Sequence, residues 1–511
     1  MEYSRTKNSV LTMATSGVRQ MLTLILTFVS RTVFIEVLGA RYLGINGLFS
    51  NILEILALSE LGIGAAISYY LYKPLAIKDT ERIKTLMRFY KQCYRYVGLA
   101  IIVLGSAIMP FLNRLVNLNQ PIPENIYLIY FLFLLNSAFT YLFWAYKQAL
   151  MTANQKQYKI EKINIVFSFI SCLTDIVILL IFRDFIVYLL SRMVITILKN
   201  VVIAKKIDRE YPFLKDKNVI PLTKHEIKNI FKGVFNISIF KLGSVLFNST
   251  TNIIISIFLG TIIVGYYSNY YMIINQVNII FGMVISSITA GIGNVIATES
   301  KKKIFSTYKM LDMGVFIINC IFTICLFQLF NSFVNVWLGK VDHHYVLGQV
   351  VIGIICMDFY LNNSCQVINS FRTAAGHFKE GRNLQCIAGV INIFLSIWLT
   401  KKVGLAGSLL SPVLCKLFIT VCPFMVILGR NLFNKGFKSM MGDFFKKLIM
   451  VVVNGAVVWF LCLKFHERSI GYFVVEIIIT VFTSCLLLFV MIYRETEFKQ
   501  LVKKCNVKNF I

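Results

Sequence analysis

Arg19 and Arg31 stand inside the first long apolar stretch of the chain, and Lys241 stands inside the seventh. A charged side chain near the centre of a bilayer costs roughly 3 kcal/mol, so such groups face protein or water rather than lipid. Cations in a water-filled lumen attract phosphate, pyrophosphate or an acidic sugar. Carboxylates lie inside other apolar stretches: Glu54 and Glu60, with Asn51, in the second, Asp175 in the fifth and Asp358 in the tenth. Such groups carry H+ or Na+ in coupled transport, or pair with a cation and hold helices together. Both readings stay open for all four. His343 and His344, beside Asp342, superficially resemble a metal cluster, but too few ligands accompany them and they read as an exposed loop.

The helices that carry these groups announce themselves by periodicity. Between Thr12 and Val37, the residues Ser16, Arg19/Gln20, Thr23, Thr27 and Ser30/Arg31 recur every three to four positions, one stripe on one helical face. Met21, Leu22, Leu24, Ile25, Leu26, Phe28 and Val29 occupy the other faces and suit lipid or neighbouring helices. The stripe returns 221 residues later, where Ser238, Lys241, Ser244, Asn248, Thr251 and Asn252 answer Gly17, Gln20, Thr23, Thr27, Ser30 and Arg31. The two helices are expected to be facing walls of one cationic cavity. Its substrate-binding residues would be Arg19, Thr23, Thr27, Arg31, Lys241, Ser244, Asn248 and Asn252. At the same offset Leu38-Gly39 with Gly44 matches Leu259-Gly260 with Gly265, and Thr152-Ala153 matches Thr373-Ala374. Asn164, Ser171 and Asp175 on one face of the fifth span are answered by Gln385, Asn392 and Ser396 in the eleventh. The result is a parallel internal repeat about an axis along the membrane normal.

Composition sets the class. Of 511 residues, 57% are hydrophobic and only 15% charged, against about a quarter charged in soluble domains. The fold class is all-α and polytopic, with fourteen spans at about 20 apolar residues each. The tight turn at Arg183-Asp184 is the least secure element of that count. The net charge of +28 does not indicate nucleic-acid binding, because the cations sit in short loops on alternate sides of the spans. That positive-inside bias puts both termini in the cytoplasm. The expected domains are a six-helix lobe over 1–204, a basic cytoplasmic loop over 205–233, a second six-helix lobe over 234–430, and two extra helices with a basic tail over 431–511. Two such lobes imply alternating access around a central site. The loop's charge suits anionic lipid. Its end, Thr223 to Phe235, reads as a short interfacial helix. The C-terminal Phe498, Leu501 and Val502, among Lys499, Lys503 and Lys504, read as an amphipathic helix on the membrane surface.

Several classes are set aside. The twelve cysteines include no C-x-x-C pair and most lie in apolar segments, as small buried hydrophobes. No P-loop is present, so ATP is not hydrolysed by that route, and no cofactor is expected. The first apolar stretch is a full span with arginines and no small-residue cleavage site, so it is expected to remain in the mature protein. Glycines at Gly62, Gly64, Gly282, Gly291 and Gly293 suit close helix packing or bending.

The run Ser30-Arg31-Thr32-Val33-Phe34-Ile35, then Leu38-Gly39 and Tyr42-Leu43-Gly44-Ile45-Asn46-Gly47-Leu48-Phe49, resembles the bacterial polysaccharide repeat-unit flippases, as does Leu58-Ser59-Glu60-Leu61-Gly62-Ile63-Gly64. These belong to the superfamily of multidrug-and-toxin extruders and the peptidoglycan lipid flippase. The resemblance covers essentially the whole chain and is most specific over its first hundred residues. It implies a non-enzymatic protein of the bacterial plasma membrane that moves an undecaprenyl-pyrophosphate-linked oligosaccharide to the outer leaflet for capsule or exopolysaccharide assembly. It also implies a V-shaped fold, a cationic central cavity and ion-gradient coupling, alongside glycosyltransferases and a polysaccharide polymerase. A drug or small-solute antiporter of the same superfamily is the nearest alternative, although cationic drugs prefer an acidic, aromatic-lined cavity. A membrane glycan polymerase would need larger outer loops.

Overall fold

The computed structural model describes residues 5–57, 63–118, 122–143, 145–216, 219–375, 382–462 and 470–505. These are helical almost throughout, and no strand occurs among them. Helices occupy the described parts of the predicted apolar stretches. Eleven described segments are long and apolar enough to cross a membrane, which makes this a multi-pass membrane protein. Among the described residues the cysteines are free.

The first helix, α1 (Arg5–Leu56), runs through the first predicted span and into the second. The connection between those two spans is a single residue: Gly39, at φ 79°, leaves helical geometry in the middle of α1. That region is open to glycine at little cost. The chain continues through α2 (Ile63–Ala76), α3 (Thr80–Ile108), the one-turn α4 (Leu112–Leu115), α5 (Ile126–Phe143), α6 (Ala145–Ala153), α7 (Tyr158–Phe182) and α8 (Phe185–Glu210). Arg183 in the left-handed region and Asp184 turn α7 into α8, and the Asp184 carboxylate caps α8 by accepting from the Ile186 and Val187 amides.

Where a separate interfacial helix was expected over Thr223 to Phe235, α9 (Lys224–Leu259) is one uninterrupted helix of 36 residues. Thr223 and Glu226 form a reciprocal capping box at its start. The Glu226 carboxylate also pairs with Arg82 in the first turn of α3. The Thr223 amide and the Arg82 guanidinium hold the Glu226 carboxyl down at about 2. Gly260, at φ 108°, separates α9 from α10 (Thr261–Thr298). It stands at the repeat equivalent of Gly39, so both halves of the sequence break helix at the same place.

Beside these breaks the two copies touch. A methyl group built on Gly44 would lie 1.9 Å from the Thr261 carbonyl oxygen. One built on Gly265 would lie 2.2 Å from the Ala40 carbonyl oxygen. Residues 40 and 44 match 261 and 265 at the offset of 221, so this backbone-to-backbone contact is itself pseudo-symmetric.

The chain divides into two compact units, residues 1–265 and 266–511. The division falls within the first turns of α10, and α9 packs on α1, α2 and α4 in the first unit. Within the first unit α1 lies along α7, and Phe34 and Tyr42 of α1 form a ring cluster with Phe185 and Tyr188 at the start of α8.

The second unit is built around α11 (Lys301–Leu338), with α12 (Gln349–Ser364), α13 (Gln366–Ala374), α14 (Arg382–Val403), α15 (Leu405–Cys415), a π-helical turn over Lys416–Val421, α16 (Cys422–Phe433), α17 (Phe437–Cys462) and α18 (Ile470–Ile492). Lys447 of α17 is buried between Asp312 of α11 and Asp443, the latter at 3.2 Å. The last helix, α19 (Thr496–Cys505), docks on α11 instead of lying free as a surface helix. Leu501 reaches Gly314, Phe498 meets the Phe489 ring, and Lys309 lies 3.6 Å from Glu497. The apolar side that suited a membrane surface is met by α11 and α18, although Val502 is exposed.

Candidate functional site: a cationic cavity between α1, α7 and α8

The polar stripe of α1 faces a cavity of about 360 Å3. Arg19, Thr23, Thr27, Ser30 and Arg31 line it from α1, as the periodicity predicts, and Leu26 joins them. The opposite walls are α7, through Asn164, Ser168, Ser171 and Asp175, and α8, through Tyr188, Arg192, Thr196 and Lys199. Asn164, Ser171 and Asp175 are the residues whose spacing placed them on one face of the fifth span. The α8 wall was not anticipated. Its signal was available, since Tyr188, Arg192, Thr196 and Lys199 follow one another at helical spacing.

Two ion pairs organise this cavity. Asp175 is buried and accepts from Arg192 Nη2 at 2.8 Å, Arg192 Nε at 3.2 Å and Ser30 Oγ at 3.0 Å. The Arg192 guanidinium in turn lies 4.8 Å from the centre of the Tyr188 ring. Arg19 Nε lies 2.5 Å from Glu161 Oε2, and Glu161 also accepts from Gln157 Nε2 at 3.0 Å. Arg19, Arg31, Arg192 and Lys199 therefore stand against two carboxylates. Among the described residues the formal charge in and beside the cavity is +2, in a wall otherwise of hydroxyls, amides, rings and the apolar Leu26, Leu43, Cys172 and Ile195. That combination suits a doubly charged anion carrying polar substituents.

The facing wall expected from α9 is described only in part. The side chains of Lys241, Ser244 and Asn248 lie outside the described residues. Asn252 is buried, with Ser249 and Thr251, on a helix that packs against α1. Ser249 Oγ donates to Glu54 Oε2 at 2.8 Å, which links α9 to the second half of α1. Glu60 and Gly62 lie outside the described residues. Asp358 of α12 pairs with Lys416 Nζ at 2.7 Å, where the π-helical turn begins. Asn392 and Ser396, the repeat equivalents of Ser171 and Asp175, are fully buried, and Ser411 Oγ donates to Asn392 Oδ1 at 2.8 Å. The second unit thus packs shut with neutral groups the place where the first unit has an ion pair.

His343 and His344 lie in a short turn capped by Asp342, which accepts from the His344 amide at 2.9 Å. No group of three or more metal-ligating side chains occurs among the described residues.

No protein-family model and no curated protein matches the chain. Solved structures do. The lipid II flippase MurJ in an inward closed conformation aligns with a TM-score of 0.66 at 14% identity, over 96% of this chain and 100% of that one. The chain has the fold of the MOP-superfamily transporters. An inward-facing multidrug resistance MATE family transporter of that superfamily aligns at 0.61 with 15% identity, over 81% and 94%. VcmN, a MATE transporter of Vibrio cholerae, aligns at 0.56 with 11% identity, over 85% and 99%. At these identities the MOP likeness is one of fold; substrate has to be argued from the cavity.

Proposed function

We propose that this protein is a flippase for a lipid-linked anionic oligosaccharide, moving undecaprenyl-pyrophosphate-linked repeat units to the outer leaflet of a bacterial plasma membrane. The observation that carries this reading is the cavity's excess of cations: Arg19, Arg31, Arg192 and Lys199 against Asp175 and Glu161. A pyrophosphate diester carries two negative charges and matches that excess. The hydroxyls and amides of Thr23, Thr27, Ser168 and Asn164 suit sugar hydroxyls. Lys241, Ser244, Asn248 and Asn252 of α9 complete the route as α1 and α9 rock during alternating access, while the lipid tail stays in the bilayer. Alignment across the full length of a lipid II flippase supports the same architecture.

In this reading both termini are cytoplasmic, glycosyltransferases supply the substrate and a polysaccharide polymerase consumes it. An H+ or Na+ gradient drives the cycle. Asp175 and Asp358 are neutralised by Arg192 and Lys416, whereas Glu54 has only the Ser249 hydroxyl as partner among the described residues, which makes it the first coupling candidate.

The test is translocation of a pyrophosphate-linked glycolipid in proteoliposomes by wild type and by Arg19→Gln/Lys241→Gln. Wild type transports and the double variant, correctly folded, loses transport. Equal transport by both would exclude the cationic route. Extrusion of an organic cation by wild type, with no lipid movement, would establish the drug-antiporter alternative.

A further inference from the structure

A second basic site lies at the ends of α7 and α8. Lys159 and Lys162 from α7, with Lys205, Lys206 and Arg209 from α8, surround an open cup of about 650 Å3 over an apolar floor of Ile163 and Val202. It shares no lining residue with the cavity on the α1 side. The α8 positions 202, 205, 206 and 209 recur at helical spacing and so face one way. Lys159 is engaged by Glu210 at 2.7 Å. Among the described residues no carboxylate lies within ion-pair distance of Lys162, Lys205, Lys206 or Arg209.

Like charges crowded in this way call for a counter-anion. The surface leading away from the cup says which kind. Below Ile163, α7 presents Val166, Ile170 and Leu173; beyond Val202, α8 presents Leu198, Val194 and Leu190. All six are at least 40% exposed. Each helix thus carries an apolar stripe that ends in the basic cup. Inorganic phosphate would use the cup and ignore the stripes. A phosphate-headed amphiphile would use both, and the two stripes, one per helix, match two acyl chains. We infer that the α7–α8 cup binds the headgroup of an anionic phospholipid, whose chains lie along the outer faces of the two helices. The site is independent of the transported substrate.

Retention of phosphatidylglycerol by the full-length protein, followed by native mass spectrometry during detergent dilution, tests this directly. The site variant is Lys162→Gln/Lys205→Gln/Lys206→Gln/Arg209→Gln. The control, Lys224→Gln/Lys228→Gln/Lys232→Gln/Lys301→Gln, removes the same charge from exposed positions elsewhere. The site variant should bind on the order of a hundredfold more weakly and the control change less than about tenfold. Lys162→Arg/Lys205→Arg/Lys206→Arg should retain the lipid and show that the fold tolerates change there. Equal losses in site variant and control would reduce the cup to diffuse surface charge. Equal retention of phosphatidylcholine, or displacement by soluble glycerophosphate at matched concentration, would overturn the phospholipid assignment. Displacement by polyprenyl pyrophosphate at equal concentration would overturn it too, in favour of a substrate-loading site.

Discussion

Replacing Gly44 with alanine tests the pseudo-symmetric contact most directly. The new methyl would lie 1.9 Å from the Thr261 carbonyl oxygen, where ordinary contact begins at 3.4 Å. The methyl is fixed directly to the α1 backbone and the oxygen is itself backbone, so no side chain can swing away, and the segments must part by about 1.5 Å. Overpacking of this kind costs about 1–3 kcal/mol. Gly265→Ala, at 2.2 Å from the Ala40 carbonyl, should cost a similar amount. Once one methyl has parted the segments, the second meets little resistance. The double variant should therefore lie within about 1 kcal/mol of either single one, a strong coupling in a double-mutant cycle. Thermal unfolding in detergent measures all three, and lowered melting temperatures of similar size are expected. Gly47→Ala, whose methyl would sit at 3.4 Å from Val264 Cγ1, is the matched control and should be near neutral or stabilising. Additive losses in the double variant, or no loss in the singles, would refute the contact. If the contact forms in only one state of a transport cycle, the same strain shifts the conformational equilibrium about tenfold or more against that state.

Arg19→Ala should destabilise by about 3–5 kcal/mol, because it leaves the buried Glu161 carboxylate without its cation, and Arg19→Ala/Glu161→Gln should recover most of the melting temperature. Lys447→Met should cost a similar amount by stranding Asp312 and Asp443, and Lys447→Met/Asp312→Asn should again recover part of it. The Glu226 carboxyl is lowered to about 2, below the ordinary carboxylate range near 4.3. Its contribution is therefore present above that range and lost as pH falls from there towards 2. Melting temperatures at successive pH values below 5 should fall more for wild type than for Glu226→Gln, and parallel curves would contradict the assignment.

The α1 stripe was legible because a helix repeats faithfully and polar residues in a membrane span are rare enough to draw a line. The α7 face was legible for the same reason. The α8 wall carries spacing just as regular, but a single cation such as Arg192 can equally reach an interface or pair locally, so it does not mark a cavity by itself. Its partner Asp175 is 17 residues away across a turn, and pairing across a turn is tertiary information. The same holds for Lys447 and Asp312, 135 residues apart. Gly39 left a trace as part of a repeated Leu-Gly, but that the helix bends at one residue follows from its φ, which a hydropathy pattern does not contain. The docking of α19 was missed for a related reason: amphipathicity reveals that a face must be covered, not by what.

The short turn between α7 and α8 bears on how the chain enters the bilayer during synthesis. Asp175 lies nine residues before Asp184 and Arg192 eight after it, so at 1.5 Å per residue both charges sit about 12–14 Å from the turn, at nearly one depth. Entering alone, each helix would carry an unpaired charge at roughly 3 kcal/mol. Entering as a hairpin, the two charges meet at once and cross already neutralised, with Ser30 of the earlier-synthesised α1 ready to receive them. The pair is thus a device of biogenesis as much as of the finished cavity. In a glycosylation-mapping assay, Arg192→Leu should impair hairpin insertion by stranding Asp175, and Asp175→Leu/Arg192→Leu should restore it.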